Sequence, residues 1–107
     1  AFLPGIRISM DALFSRATLL RPVDLVEPAR VIGRNTVECL QSGLYYGFLG
    51  QMEMMLHRIL DELDAPAVVV ATGGLADVIA SGSPLVNHVD PYLTLKGLEL
   101  IHRRASA

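Results

Sequence analysis

Ala67-Val68-Val69-Val70-Ala71-Thr72-Gly73-Gly74 joins two signals in succession. The first is a continuous apolar run centred on valines with no polar alternation, the pattern of a strand buried on both faces. The second is a pair of glycines at the C-terminal end of that strand, where a ligand can lie against backbone that carries no side chains. Residue types alone leave the Thr72-Gly73-Gly74 turn open between a plain strand-to-helix connection and a ligand seat, and favour the plain connection. The stretch has neither the G-x-G-x-x-G of dinucleotide folds nor the Gly-Lys-Ser/Thr of P-loops. Downstream, Leu75 to Ala80 reads as a short helix closed by Ser81-Gly82-Ser83-Pro84. A final helix starts at Asp90-Pro91, with Asp90 as cap and Pro91 at the first helical position, where its missing N–H costs nothing. Leu95, Leu98 and Ile101 recur at steps of three and are expected to bury one side of it. His102-Arg103-Arg104 place positive charge at its C-terminal end, where the helix dipole favours it.

Upstream of the valine run, Asp64-Ala65-Pro66 ends a long helix. Nothing breaks the chain from Thr36 to Leu63, which at 1.5 Å per residue spans ~40 Å. Asn35 can cap it, and Glu38 three residues on can reach back in a capping box. Val37, Leu40, Leu44, Phe48, Met52, Met55, Ile59 and Leu63 form one apolar stripe, and Tyr45, Leu49, Leu56 and Leu60 form a second beside it. Gly43, Gly47 and Gly50 stand within this helix at steps of four and three. Each costs roughly 1 kcal/mol relative to alanine, so close approach of another backbone is the expected reason for them. Towards the N-terminus, Pro4-Gly5 marks a turn, Ser9 is expected to cap a helix from Met10 to about Leu19, and Arg21-Pro22 stops it. Val23 to Glu27 suggests a short strand cut off by Pro28, and Gly33-Arg34 a loop.

The 107 residues suit one modest domain. Hydrophobic residues make up 51% and charged residues 19%, which excludes disorder and a charged tail. A formal net charge of −2 gives no electrostatic reason to expect a nucleic acid or an anionic membrane as partner. Mean hydropathy is high at +0.42, yet the longest uncharged stretch, Cys39 to Met52, falls short of the ~20 apolar residues of a spanning helix. The excess apolarity is therefore expected to lie in buried surface, including a face that meets another chain or domain. A single cysteine, Cys39, permits no intrachain disulfide and fits a reducing cytosol. The first residues, Ala1 to Gly5, lack the basic region of a signal peptide and open on the end of an apolar run.

No acid–base or nucleophilic constellation stands out. His57, His88 and His102 lack metal-ligand spacing, Cys39 is expected in the core, and the methionines around Met52, Met54 and Met55 as core filling. With Asn35 as cap, the Thr36 hydroxyl in the first turn is free to meet a ligand, although an ordinary capped helix explains the same residues.

Five short segments nevertheless stand in one register: Pro4-Gly5 with Ser9 and Ala12-Leu13; Ile32-Gly33-Arg34-Asn35-Thr36; Gln41-Ser42-Gly43; Ala71-Thr72-Gly73-Gly74-Leu75-Ala76; and Leu93-Thr94-Leu95-Lys96-Gly97-Leu98. Together they resemble the C-terminal domain of type III pantothenate kinases over essentially the whole chain. The resemblance implies an α/β fold of the acetate and sugar kinase, heat-shock chaperone and actin superfamily. Residues 1–107 would be the C-terminal part of a ribonuclease-H-like (actin-like ATPase) domain, incomplete at its N-terminal end, helix-rich with one long helix and a buried strand. It implies a cytoplasmic homodimer that transfers the ATP γ-phosphoryl group to pantothenate, in the first step of coenzyme A biosynthesis, with Mg²⁺ and a monovalent cation (K⁺ or NH₄⁺). Thr36 falls on the family's pantothenate-contacting threonine, and Thr72, Gly73 and Gly74 on its adenosine motif.

The family's N-terminal Asp-x-Gly-Asn-Thr phosphate motif, its Gly-x-Asp-Arg segment with the catalytic aspartate, and its second phosphate motif with the cation-binding aspartate have no counterpart here. Arg21 stands where the family usually has leucine before proline. The chain is thus expected to be a fragment, inactive without the missing N-terminal portion, with the main ligands for the cations outside it. Two other readings fit the same residues: a non-catalytic oligomerisation module built on the glycine-bearing helix, and a kinase of the same superfamily with another acceptor.

Overall fold

The computed structural model describes residues 1–17 and 19–106, apart from the side chain of Ala76. The chain divides into two compact units, Ala1–Met55 and Leu56–Ala107. The described elements are α1 (Ile6–Arg16), α2 (Thr36–Leu63), β1 (Val70–Ala71), α3 (Ala76–Ala80), β2 (His88–Val89) and α4 (Leu93–Ser106). The result is a helix-rich α/β chain with a two-stranded parallel sheet.

In the first unit, α1 begins a full turn before the expected cap. Gly5 is its N-cap, in extended conformation and without a side-chain hydrogen bond, and the Gly5 carbonyl accepts from Ser9 N at 3.0 Å. Ile6-Arg7-Ile8 contains no breaker, so the helix propagates straight out of the Pro4-Gly5 turn and Ser9 falls inside it. It ends at Arg16 rather than near Leu19, and Thr18 lies outside the described residues. Val23 to Glu27 is not a strand: it runs between Pro22 and Pro28 without a ladder partner. Hydroxyls of α2 hold the segment that follows. Tyr46 Oη donates to the Pro28 carbonyl at 3.2 Å, and Ser42 Oγ donates to the Val31 carbonyl. Leu44, Tyr45 and Ser42 are buried, and the Tyr45 and Tyr46 rings meet edge to face with centroids 5.2 Å apart. Burial above all, then the charge of Glu27 and the neighbouring Tyr46, raises the Tyr45 phenol above its ordinary pKa.

The long helix occupies the residues expected of it, Thr36–Leu63. Asp64 ends it in the left-handed region with φ of +48°, a conformation that a short polar side chain tolerates, and Pro66 prevents its resumption. Its apolar stripes are covered unevenly: Leu44 and Tyr45 are buried, whereas Val37, Met54, Ile59 and Leu63 are exposed. Cys39, expected in the core, is exposed as well.

In the second unit, β1 and β2 pair in parallel with Val70 opposite His88 and Ala71 opposite Val89, and α3 packs on both strands. Ile79, Ala80 and Ser83 form the buried centre. The valine run is not covered on both faces as its sequence suggests: Val68 is 69% exposed and Val70 45%. Only two of its residues enter the ladder, and β2 is the single neighbour within the sheet. Leu95, Leu98 and Ile101 of α4 are exposed too, rather than buried along one side. Among the described residues no helix is long and apolar enough to cross a membrane.

Candidate functional site

Parallel strands end on the same side of their sheet, and here both C-terminal ends lead directly into site residues. Four hydrogen bonds set the strand ends. Val69 N donates to Asn87 Oδ1 at 2.7 Å, and the Val69 carbonyl accepts from Asn87 N at 2.9 Å and His88 N at 3.2 Å. One residue pair further on, Asp90 N donates to the Ala71 carbonyl at 2.8 Å. Thr72-Gly73-Gly74 leaves β1 at that point and Asp90-Pro91 leaves β2.

Between them opens a cleft of about 580 Å³ lined by Thr72, Gly73, Gly74, Asp77, Val89, Pro91 and Thr94. Its volume lies in the range of small-molecule sites, and its place outside the carboxyl ends of the strands is where ligands of open α/β sheets bind. The glycines contribute by having no side chain. Gly73 has φ of +119°, a backbone conformation that favours glycine, and a Cβ added at either glycine would meet no atom within 4 Å. That open space belongs to the cleft, so backbone is presented directly to whatever occupies it. Thr72, Gly73 and Gly74 are therefore brought together in one concavity.

The sequence gives no sign that Asp77, Val89, Pro91 and Thr94 belong to a site. β2 has only two residues, too few to show a periodicity. Without that pairing nothing places Pro91 and Thr94 opposite the glycines. Asp77 accepts a hydrogen bond from Val78 N at 3.1 Å. Asp90 accepts from Tyr92 N at 3.0 Å and from Lys96 Nζ at 2.7 Å. The Lys96 bond, followed by the Tyr92 amide, holds its carboxyl below the usual carboxylate range. Helix α4 thus starts at Leu93, two residues after the expected Pro91, and Asp90 caps the turn that leads into it.

Thr36, the remaining site residue expected from the sequence, belongs to the first unit. It is the first residue of α2 and is exposed. Asn35 Oδ1 accepts from Glu38 N at 2.9 Å, so Asn35 is the cap. The reciprocal arm of the box is displaced by one residue: Glu38 Oε2 accepts from Arg34 N at 2.7 Å. Both exchanges leave the Thr36 hydroxyl outside the capping network. Beside this helix start lies a second cleft of about 460 Å³, whose lining includes Glu27, Pro28, Arg30, Arg34 and Glu38.

A divalent cation of the hard, oxygen-liganded kind needs about six oxygen ligands, usually with more than one carboxylate or phosphate among them. The cleft beside the glycines offers one carboxylate, Asp77. No group of three or more His, Cys, Asp or Glu side chains suited to a metal occurs among the described residues. This donor set does not fit a magnesium site by itself.

Similarity to known proteins gives this geometry its context. The family model described as type III pantothenate kinase matches residues 1–58. A type III pantothenate kinase of Saccharopolyspora erythraea is 53% identical over 108 aligned residues, covering 97% of this chain and 41% of that protein. The type III pantothenate kinases of Moorella thermoacetica and Brevibacillus brevis are 50% and 49% identical over 104 residues, with the same coverage. The chain spans about 41% of the length of these curated relatives. With the family model covering more than half of its residues, the chain belongs to the type III pantothenate kinase family.

Proposed function

We propose that this chain is the C-terminal part of a kinase that transfers the ATP γ-phosphoryl group to pantothenate, the first step of coenzyme A biosynthesis. The observation that carries the reading is identity near 50% across nearly the whole chain to proteins named for that activity. The Thr72-Gly73-Gly74 cleft supports it by offering backbone to a flat ligand where the family's adenosine motif falls. In this reading, residues 1–107 form the C-terminal portion of a ribonuclease-H-like domain of the actin-like superfamily. Thr72, Gly73 and Gly74 receive the adenosine side of the nucleotide, and Thr36 meets pantothenate through its hydroxyl.

Phosphoryl transfer rests on positioning and on charge stabilisation by cradling amides, a metal and a base. The residues of this chain position the two substrates. The phosphate motifs, the catalytic aspartate and the principal ligands of Mg²⁺ and of K⁺ or NH₄⁺ belong to the family portion that this sequence does not span. The enzyme works as a cytoplasmic homodimer, with the glycine-bearing face of α2 in the dimer surface. The test is pantothenate-dependent ATP turnover. A complete enzyme carrying this chain is expected to show it, and the 107-residue chain alone is expected to stay at background. Turnover with a different acceptor and not with pantothenate would replace the acceptor, and absence of nucleotide binding in the complete protein would sink the kinase reading.

A further inference from the structure

Asp90 stands within one wall of the 580 Å³ cleft without lining it, while its neighbours Val89 and Pro91 do line it. Four hydrogen bonds meet at this one residue, one of them from Leu93 N to its carbonyl at 3.4 Å. Its N–H donates to the carbonyl of Ala71, the residue immediately before Thr72, at 2.8 Å. One carboxylate oxygen accepts from Tyr92 N at 3.0 Å, and the other from Lys96 Nζ at 2.7 Å. Its side chain is 21% exposed, against 61% for Lys96. Capping α4 requires only the Tyr92 bond. The Lys96 bond reaches further along the chain, past Thr94, which is the helical contributor to this wall. The backbone bond ties that same wall to the strand end that carries the glycine turn.

We infer that Asp90 is a positioning residue for nucleotide binding, holding the Val89–Pro91–Thr94 wall at a fixed spacing from Thr72-Gly73-Gly74. The inference rests on the reading of this cleft as the adenosine side of the nucleotide site. A planar ligand between two walls is sensitive to their separation, and a displacement of about 1 Å in a positioning element is enough to be felt in kinetics. The bond to Ala71 is made by the Asp90 main chain and survives substitution, so replacing the side chain acts through the lost Tyr92 and Lys96 bonds. Asp90 does not line the cleft, and loosened binding with an unchanged transfer step is expected.

The experiment measures steady-state kinetics of a complete enzyme carrying Asp90→Ala, Asp90→Asn or Gly74→Val. Asp90→Ala is expected to raise KM for ATP about fivefold to tenfold, with kcat and KM for pantothenate at wild-type values. Asp90→Asn keeps an oxygen for the Tyr92 amide and gives up the charge facing Lys96, so its KM for ATP is expected to fall between wild type and Asp90→Ala. A purely structural role would lower the melting temperature without this graded, ATP-specific split. A folded Asp90→Ala enzyme with wild-type KM for ATP, or with both KM values raised alike, overturns the proposal. Should Asp90→Ala fail to fold, an Asp90→Asn enzyme with wild-type KM for ATP does the same. Gly74→Val separates the two levels: if it raises KM for ATP while the Asp90 variants do not, only the Asp90 proposal fails. If Gly74→Val has no effect on KM for ATP, the nucleotide reading of the cleft fails and the proposal with it.

Discussion

Gly33 lies so close to Cys39 that a Cβ placed on it would stand 2.5 Å from the Cys39 amide nitrogen and 2.8 Å from its Sγ. The contact is with the backbone of the first turn of α2, which cannot swing aside as a flexible side chain would. Gly33→Ala is therefore expected to destabilise the fold by roughly 1–3 kcal/mol through overpacking. Gly43→Ala adds a Cβ that meets nothing within 4 Å in the single chain, and by helix propensity alone gains up to ~1 kcal/mol. Denaturant unfolding of the two variants checks the contrast, and a Gly33→Ala protein as stable as wild type would contradict the crowding.

At the cleft, the two glycines are not equivalent probes. Gly73 has φ of +119°, so Gly73→Val strains the backbone whatever occupies the site. A Cβ at Gly74 meets no protein atom within 4 Å, so the branched side chain of Gly74→Val is expected to intrude mainly on a ligand. In a complete enzyme Gly74→Val is expected to raise KM for ATP with little change in melting temperature or in KM for pantothenate. Gly73→Val is expected to lower the melting temperature as well. Calorimetry beside steady-state kinetics distinguishes the two.

Thr36 and Asn35 separate binding from capping. Thr36→Val in a complete enzyme is expected to weaken pantothenate handling by about 0.5–1.5 kcal/mol, the contribution of a neutral hydrogen bond, with stability nearly unchanged. Asn35→Ala removes the oxygen that accepts from Glu38 N and is expected to cost about 0.5–2 kcal/mol of stability. A Thr36→Val enzyme that melts lower with unchanged pantothenate kinetics would assign Thr36 to the helix start alone.

Gly47 tests the homodimer surface. In the single chain a Cβ at Gly43, Gly47 or Gly50 meets nothing within 4 Å, so resistance to a small addition there points to a surface outside this chain. Gly47→Leu is expected to weaken association by roughly 1–3 kcal/mol or more if a packed interface covers it, seen by sedimentation at several concentrations. A Gly47→Leu protein that stays dimeric and melts higher than wild type would rule out that surface.

Tyr45 sets an alkaline limit. Burial, with Glu27 and Tyr46 assisting, raises its phenol pKa in the folded chain. The unfolded chain gives up this proton at lower pH than the folded one, so it binds fewer protons across that window and stability falls as pH rises. The contribution is fully present below the ordinary phenol range and is lost as pH climbs through the raised folded value. Tyr45→Phe is expected to flatten that part of the stability profile, and spectrophotometric titration of the wild type should show a phenol ionising above the ordinary range.

The long helix and its cap were legible in the sequence because both depend on near neighbours. A helix closes its hydrogen bonds four residues apart, so an unbroken run from Thr36 to Leu63 with Asn35 before it specifies its own limits. The glycine turn after the valine run was legible for the same reason, and the five short segments in register carried the family. The start of α1 was not legible, because Gly5 serves as N-cap without a side-chain bond, leaving Ser9 no capping role.

Pairing and coverage were decided only by the tertiary structure. A parallel ladder joins residues far apart in sequence: Val70 meets His88 and Ala71 meets Val89, and neither segment announces the other. That pairing alone brings Pro91 and Thr94 opposite Thr72, Gly73 and Gly74 and turns a glycine dipeptide into a cleft. Exposure is likewise non-local. Val68, Val70, Leu95 and Leu98 carry the composition of buried positions and are exposed here, because apolar character records a tendency to leave water, whereas burial needs a second surface that the residue itself does not specify.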